Sequence, residues 1–283
     1  MRTPSLLLLG CLACSDAAVA GGAPLPQSPL PQSTLPQART ATGSGTIAEA
    51  MLVGPTDRYR HFVLGATVEA SGLRLRMRDG RELELTLPRH EVFEDRRPRI
   101  VDLDGDGRDE VVLVRSSTMT GSSVVVVGER NGGCAIIAEG PETGAPRRWL
   151  NPAGIADFDG DGHLDIAYVQ QPHVLGRLKV LTLRDGALVE IAMTDNTSNH
   201  VAGSPEMGLA AVADFDGDGV PDLAVPSFDR SRLRFLSFKG GVHEIASRPL
   251  PAPAVADFTL ATVNGKPAVD VALAGGRHEK LTP

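Results

Sequence analysis

Asp102-Leu-Asp-Gly-Asp-Gly-Arg-Asp-Glu110, Asp157-Phe-Asp-Gly-Asp-Gly-His-Leu-Asp165 and Asp214-Phe-Asp-Gly-Asp-Gly-Val-Pro-Asp222 state one phrase three times. Each copy carries carboxylates at its first, third, fifth and ninth positions and a glycine at its sixth. Alternate carboxylates on a tightly turned loop suit a hard, oxygen-seeking cation, whose ligands must converge within about 2.3–2.6 Å of one point. Calcium is the expected ion, up to three per chain, held by Asp102, Asp104, Asp106 and Glu110, by Asp157, Asp159, Asp161 and Asp165, and by Asp214, Asp216, Asp218 and Asp222. The backbone carbonyls of Arg108, His163 and Val220, at the seventh position, complete the three sets. A single Asp/Gly cluster reads equally well as a polar turn. Three aligned copies do not.

An EF-hand would need a bidentate Glu three places beyond each phrase and a helix on either side. Leu113, Tyr168 and Val225 stand at that place. The residues that follow each loop, Glu110-Val-Val-Leu-Val114, Asp165-Ile-Ala-Tyr-Val169 and Asp222-Leu-Ala-Val225, are short and β-branched-rich rather than helically periodic. The loops are therefore expected to join strands, which also disfavours a dockerin-type module.

The flanks repeat too. Ile100-Val-Asp-Leu103, Ile155-Ala-Asp-Phe158, Val212-Ala-Asp-Phe215 and Val255-Ala-Asp-Phe258 form a fourfold series, and the first three recur at an interval of about 55 residues. The fourth has Thr259 and Ala261 in place of the middle carboxylates and is expected to keep its blade and lose the metal. This Asp-x-Asp-Gly-Asp-Gly-x-x-Asp loop between short strands resembles the FG-GAP or VCBS-type repeat, the blade also found in integrin α-subunit heads. The resemblance covers residues 98 to 283 well and 45 to 97 weakly, and of the integrin signatures Gly144-Ala145-Pro146 alone is similar. It implies an all-β fold, a β-propeller of about five four-stranded blades, with an incomplete or differently counted propeller as the alternative.

The expected organisation is a signal peptide over 1–20, a Pro/Gln/Ser-rich linker over 21–44, and a propeller over 45–283 with loops at 102–110, 157–165 and 214–222. Arg2, an apolar run from Leu6, and Ala18-Val-Ala20 before Gly21 read as an export signal. Cys11 or Cys14 as a lipidated anchor is the alternative to a periplasmic or secreted chain. The apolar run is too short to span a membrane. Leu-Pro-Gln at 25, 30 and 35 marks the extended linker. From Gly45, strands are expected at Ile47–Val53, Arg60–Val68, Leu73–Arg78 and Glu82–Leu87, with Asp79-Gly80 as a hairpin turn. The last blade, from Ala254, shows two clear strands, and N-terminal chain near Gly45 is expected to complete it, since closing the ring removes free sheet edges.

Aromatic residues are 4 % of the chain, with one Trp, so Val, Leu, Ile and Ala must fill the core. The formal charge of −7 owes much to the loops, whose ligand positions hold 12 of the 35 acidic residues. Nothing in that balance points to nucleic acid. After cleavage Cys134 would be the sole cysteine, a buried small hydrophobe rather than half of a disulfide. There is no Gly-x-Ser-x-Gly elbow, phosphate-cradling loop, or close-spaced histidine pair of zinc type.

In a four-stranded blade, the calcium loop joins strands one and two at one face, whereas the two-to-three and inter-blade connections lie at the other. That assigns Arg148, Trp149 and Asn151, Asn199 and His200, and His173 and Arg230 to the face opposite the calcium, a set suited to stacking on and hydrogen-bonding a sugar or an extended peptide. The first functional reading is an exported, calcium-stabilised interaction module for a protein or glycan partner, without catalysis. A polysaccharide lyase or hydrolase on a propeller scaffold, and a purely structural envelope module, are the alternatives.

Overall fold

The computed structural model describes Leu35 and residues 38–283, so the expected signal peptide, Cys11, Cys14 and most of the linker lie outside the described residues. Every regular element among the described residues is a strand, and nearly all pairing is between strands consecutive in sequence and antiparallel. The fold is a β-propeller. Its first blade comprises β1 (Ala41–Thr42), β2 (Ile47–Thr56), β3 (Glu69–Met77) and β4 (Glu82–Thr86). A short β5 (Glu91–Phe93) joins it to a second blade of β6 (Arg99–Val101), β7 (Glu110–Ser117), β8 (Gly121–Arg130) and β9 (Gly133–Glu139), because β5 pairs with both β3 and β7. Two regular four-stranded blades follow, β10 (Leu150–Ala156) to β13 (Ala187–Thr194) through β11 (Asp165–Gln170) and β12 (Arg177–Arg184), and β14 (Ala211–Ala213) to β17 (His243–Pro249) through β15 (Asp222–Pro226) and β16 (Arg232–Ser237). The last blade has three strands, β18 (Thr259–Val263), β19 (Lys266–Leu273) and β20 (Arg277–Leu281).

The second strand of each middle blade is apolar on both faces, as a strand buried between two layers must be. Val111 and Leu113 pack towards the first blade, and Val112 and Val114 towards the third. Ile166 and Tyr168 face the second blade, and Ala167 and Val169 the fourth. Alternation by two residues thus sends one strand into two cores. Four apolar clusters result, one between each pair of successive blades. Gly154 shows how close the third and fourth blades come, for a Cβ there would sit 2.4 Å from Val212 Cγ2.

Among the described residues no fifth apolar cluster joins the last blade to the first. The outer face of the first blade carries the Arg74–Glu84 and Arg76–Glu49 ion pairs instead, and the last blade presents Asp270 bonded to His278. The expected closure by N-terminal chain is corrected accordingly: β1 pairs with β2 and not with β20, which leaves the last blade at three strands. Residues 41–42, read as linker, already belong to the sheet, and Leu35 is buried in the first core. The expected strand at Arg60–Val68 is an irregular connection, in which Arg60 and Phe62 take left-handed backbone with φ of 55° and 57°. The Glu69 carboxylate holds that shape by accepting the His61 N–H at 3.2 Å.

The fourth copy of the flanking series is out of register. Asp257 accepts the Gly208 N–H at 2.6 Å and Phe258 donates to the Gly208 carbonyl at 2.8 Å, so this segment sits at the start of the inner strand, opposite the calcium-loop end. Beyond it, β18 runs beside β14 and ends at Asn264-Gly265. Both turn residues have positive φ, 51° and 78°, the geometry of a two-residue type I′ hairpin. The nine-residue loop is replaced there by two residues, and Asp257 pairs with Arg97.

Gly154→Ala should cost about 1–3 kcal/mol by overpacking the third interface. Thermal unfolding is expected to show a lower Tm for this variant, largely restored by Val212→Ala in the same chain.

Candidate functional site

The three acidic loops share four backbone-to-carboxylate bonds. The first-position Asp accepts the sixth-position glycine N–H at 3.0 Å in every copy: Gly107 to Asp102, Gly162 to Asp157 and Gly219 to Asp214. The third-position Asp accepts from two residues on at 3.2, 3.1 and 3.0 Å, and the fifth-position Asp does the same at 2.8, 3.0 and 2.9 Å. These are Asx-type turns, which curl the chain around its own carboxylates. Glycines at the fourth and sixth positions make the curl feasible, since Gly105, Gly107, Gly160, Gly162, Gly217 and Gly219 all lie at φ between 74° and 91°.

The ninth-position acid closes each loop. Glu110, Asp165 and Asp222 accept the second-position N–H of Leu103, Phe158 and Phe215 at 2.9, 3.0 and 2.8 Å. Those three apolar side chains are buried and anchor the loops in the cores. One carboxylate oxygen is thereby used within the protein. Oδ1 of Asp102 is buried with no hydrogen-bond partner, and the second oxygens of Asp165 and Asp222 are buried beside the Thr182 and Ser237 hydroxyls. Carboxylate oxygens buried without donors are costly unless a cation meets them. Ligand atoms of Asp102, Asp104 and Glu110, of Asp157, Asp159 and Asp165, and of Asp214, Asp216 and Asp218 lie within 4.8 Å of one another in each set. Three acidic clusters able to hold a metal ion are therefore present, and their donors are the hard oxygens that suit calcium. Burial, reinforced by neighbouring aspartates, pushes the Glu110 carboxyl up to about 7 and that of Asp165 up to about 6.

On the opposite face the structure brings Trp149, His173 and His200 together. The Trp149 and His173 rings stack with centroids 6.2 Å apart, His200 meets Trp149 edge-on at 4.8 Å, and His173 Nε2 lies 2.9 Å from His200 Nδ1. Arg230 reaches Ser198 Oγ at 3.1 Å. The cluster is a packed interior, however, and the expectation of an open ligand surface is corrected for four of its members. Trp149 is 2 % exposed and donates Nε1–H to the Glu94 carbonyl, while Asn151, Asn199 and His200 are fully buried. The two asparagines clamp each other, each donating its amide to the other's backbone carbonyl at 3.1 Å. Arg148 remains exposed, and His173 and Arg230 are half-buried.

Because the Ser204 carbonyl can only accept, His200 Nε2 carries the proton of their 3.1 Å contact, and His173 Nε2–H donates to His200 Nδ1. Both rings are neutral. Burial lowers the pKa of His173 to about 4, helped by Arg230, and that of His200 to about 3, helped by His173. Sequence reading missed a related chain nearby, in which Ser122 and Ser116 hydroxyls meet at 2.6 Å, Ser116 donates to Glu94 at 2.7 Å, and Glu94 accepts from His61 Nδ1 at 2.7 Å. No local motif marks it, because its members come from two strands of the second blade and two separate connections. Cys134 is half-buried, with its thiol pushed up to about 12 by burial, as an unreactive packing residue requires.

The family profile described as FG-GAP-like repeat matches residues 102–168 and, in a second overlapping register, 157–225. No curated protein matches the chain. Among solved structures, the fission yeast SREBP-SCAP binding domains align at 11 % identity and a TM-score of 0.45, over 87 % of this chain and 60 % of theirs. The exotype rhamnogalacturonan lyase YesX aligns at 13 % identity and 0.43, over 89 % and 57 %. The periplasmic gluconolactonase PpgL of Pseudomonas aeruginosa aligns at 14 % and 0.34, over 82 % and 81 %. The chain thus spans less than two thirds of the first two proteins it resembles.

Unfolded histidines bind protons near pH 6.5, well above the folded values of about 4 and about 3 for His173 and His200. The unfolded chain protonates first, so this pair's contribution is full above about pH 6.5 and is lost as the pH falls towards 4. Urea midpoints at pH 7 and pH 5 should show a smaller acid-induced drop in a His173→Gln/His200→Gln variant than in the parent.

Proposed function

We propose that this FG-GAP repeat protein is an exported, calcium-stabilised propeller that presents a rigid surface to a protein or glycan partner. The observation that carries the calcium reading is the convergence of carboxylates in each loop, whose ligand atoms lie within 4.8 Å of one another, with Asp102 Oδ1 buried and without a donor. Bound calcium would supply two positive charges to each cluster and cancel its internal repulsion. Asp102, Asp104, Asp106 and Glu110 would hold the first ion, and the corresponding residues of the other two loops the second and third, together with the carbonyls of Arg108, His163 and Val220. The protein's own part is orientation: the Asx turns and the closing bond to the ninth-position acid fix the carboxylates before a cation arrives.

Support for a binding surface comes from the loop end of the blades. A groove of about 450 Å³ between the first and second blades is lined by Arg78, Arg81, Arg108, Asp104 and Glu129, and one of about 540 Å³ between the third and fourth by Asp159, Asp161, Met193 and Phe238. Both mix charged or polar groups with apolar ones, as carbohydrate and peptide sites do. No helix among the described residues is long and apolar enough to cross a membrane. Export is supported by the Arg2, Leu6–Leu9 and Ala18-Val-Ala20 pattern.

Calcium should stabilise the fold by about 2.7 kcal/mol per site at a hundredfold excess over Kd, so that the Tm rises with its concentration. Asp159→Ala and Asp216→Ala are each expected to lower the stoichiometry by one ion, whereas Thr259→Ala leaves it unchanged. Identical unfolding with calcium and with a chelator would refute the reading. A glycan and peptide array probed with the calcium-loaded protein tests the partner class, and mass spectrometry from the native host should find a chain beginning at Gly21.

A further inference from the structure

Each fifth-position aspartate is already engaged by a basic side chain. Asp106 is gripped by Arg108, whose Nε lies 2.9 Å from Oδ2. Asp161 is held by Arg184 at 3.1 Å, and Asp218 by Lys239 at 3.0 Å. The three cations do not come from one place in the repeat. Arg184 ends the third strand of its blade and Lys239 lies just beyond the equivalent strand, where each reaches back to the loop of the same blade. In the second blade that place, the end of β8, is held by Arg130, yet the side chain found on Asp106 is a different one. The loop's own seventh residue, Arg108, supplies the charge instead.

We propose that Arg108, Arg184 and Lys239 are tethered cations that set the calcium affinity of the three loops by competing for the fifth-position carboxylate. The inference rests on the calcium reading above. An isolated pair of this kind would be unremarkable, since exposed ion pairs contribute little to stability. What distinguishes these is their recurrence at one ligand position in all three loops, reached by two different routes through the chain. The effect on a divalent ion is also larger than the effect on folding. A fixed positive charge bonded to a ligand either has to leave before that carboxylate can turn to the ion, or stays and repels it at close range. Either course weakens calcium binding, and added salt reduces the penalty. In exchange, a loop without calcium keeps one of its carboxylates neutralised and its fold closed.

The test is isothermal titration of the full chain with calcium chloride at low ionic strength, applied to Arg184→Gln, Lys239→Gln and the conservative Arg184→Lys. The first two should each tighten one of the binding steps about three- to tenfold, with unchanged stoichiometry, and the gain should shrink in high salt. Arg184→Lys should bind as the parent does. Arg232→Gln, which removes an exposed arginine bonded to Ser247 away from the loops, is the control and should have no effect. A parent that binds three ions while both Gln variants bind no more tightly overturns the tethered-cation inference and leaves the calcium reading standing. A parent that binds no calcium overturns both.

Discussion

The structure depends on one contact made three times, from the second-position backbone N–H of each loop to the carboxylate of its ninth residue. Glu110, Asp165 and Asp222 are the first residues of β7, β11 and β15, so this bond fastens the end of an inner strand to the start of the next. It also fixes Leu103, Phe158 and Phe215 in the apolar cores, because the donor N–H belongs to the same residue whose side chain is buried. Its third consequence is chemical. With one oxygen committed to the backbone, the second oxygen of Asp165 and of Asp222 is left buried beside a single hydroxyl, that of Thr182 or Ser237. Fold and acidic cluster are thus one arrangement, since closing the loop gathers its carboxylates.

Burial on both faces of β7, β11 and β15 follows from the same geometry. A strand clamped at its loop end lies between its neighbours, and its alternate residues enter two different cores. Valine, leucine, isoleucine and alanine are small enough to fill the narrow gaps on either side, which is why a chain with so few aromatic residues still builds four continuous interfaces. Gly154 opposite Val212 marks the limit of that approach.

The loops and the strands that follow them were legible in the sequence because their determinants are local: carboxylates every second residue, glycine where φ must be positive, and β-branched residues directly after. Legibility failed where a local resemblance competed with register. Val255-Ala-Asp-Phe258 has the letters of the flanking series, yet Asp257 is drawn to the Gly208 N–H and to Arg97, contacts 49 and 160 residues away in sequence. The true counterpart of the loop, Asn264-Gly265, bears no likeness to it, since a two-residue hairpin needs positive φ and no ligands. Arg60–Val68 failed for a similar reason: its apolar and β-branched residues suit a strand, but the Glu69 carboxylate and the Glu94–His61 bond favour an irregular course. Topology correctly gathered Trp149, His173 and His200 at one place, whereas their burial depended on how deeply the 198–207 connection packs, which no spacing encodes.

That packing explains why the two ends of the blades look so different in composition. At one end the connections are short acidic loops closed around a ligand cluster. At the other the inter-blade connections are longer, carry no such cluster, and must satisfy their backbone groups by other means. The reciprocal amides of Asn151 and Asn199 join a connection to an inner strand, the Ser122–Ser116–Glu94–His61 chain joins connections to the second blade, and the His173–His200–Ser204 relay joins two connections to each other. Buried polar networks that are largely satisfied hold a unique geometry, because any slippage leaves a donor or acceptor unpaired. The histidine end therefore fixes the blades through hydrogen bonds that acid disrupts, and the aspartate end through carboxylates that call for a cation. A partner surface formed at either end inherits the sensitivity of the fastening beneath it.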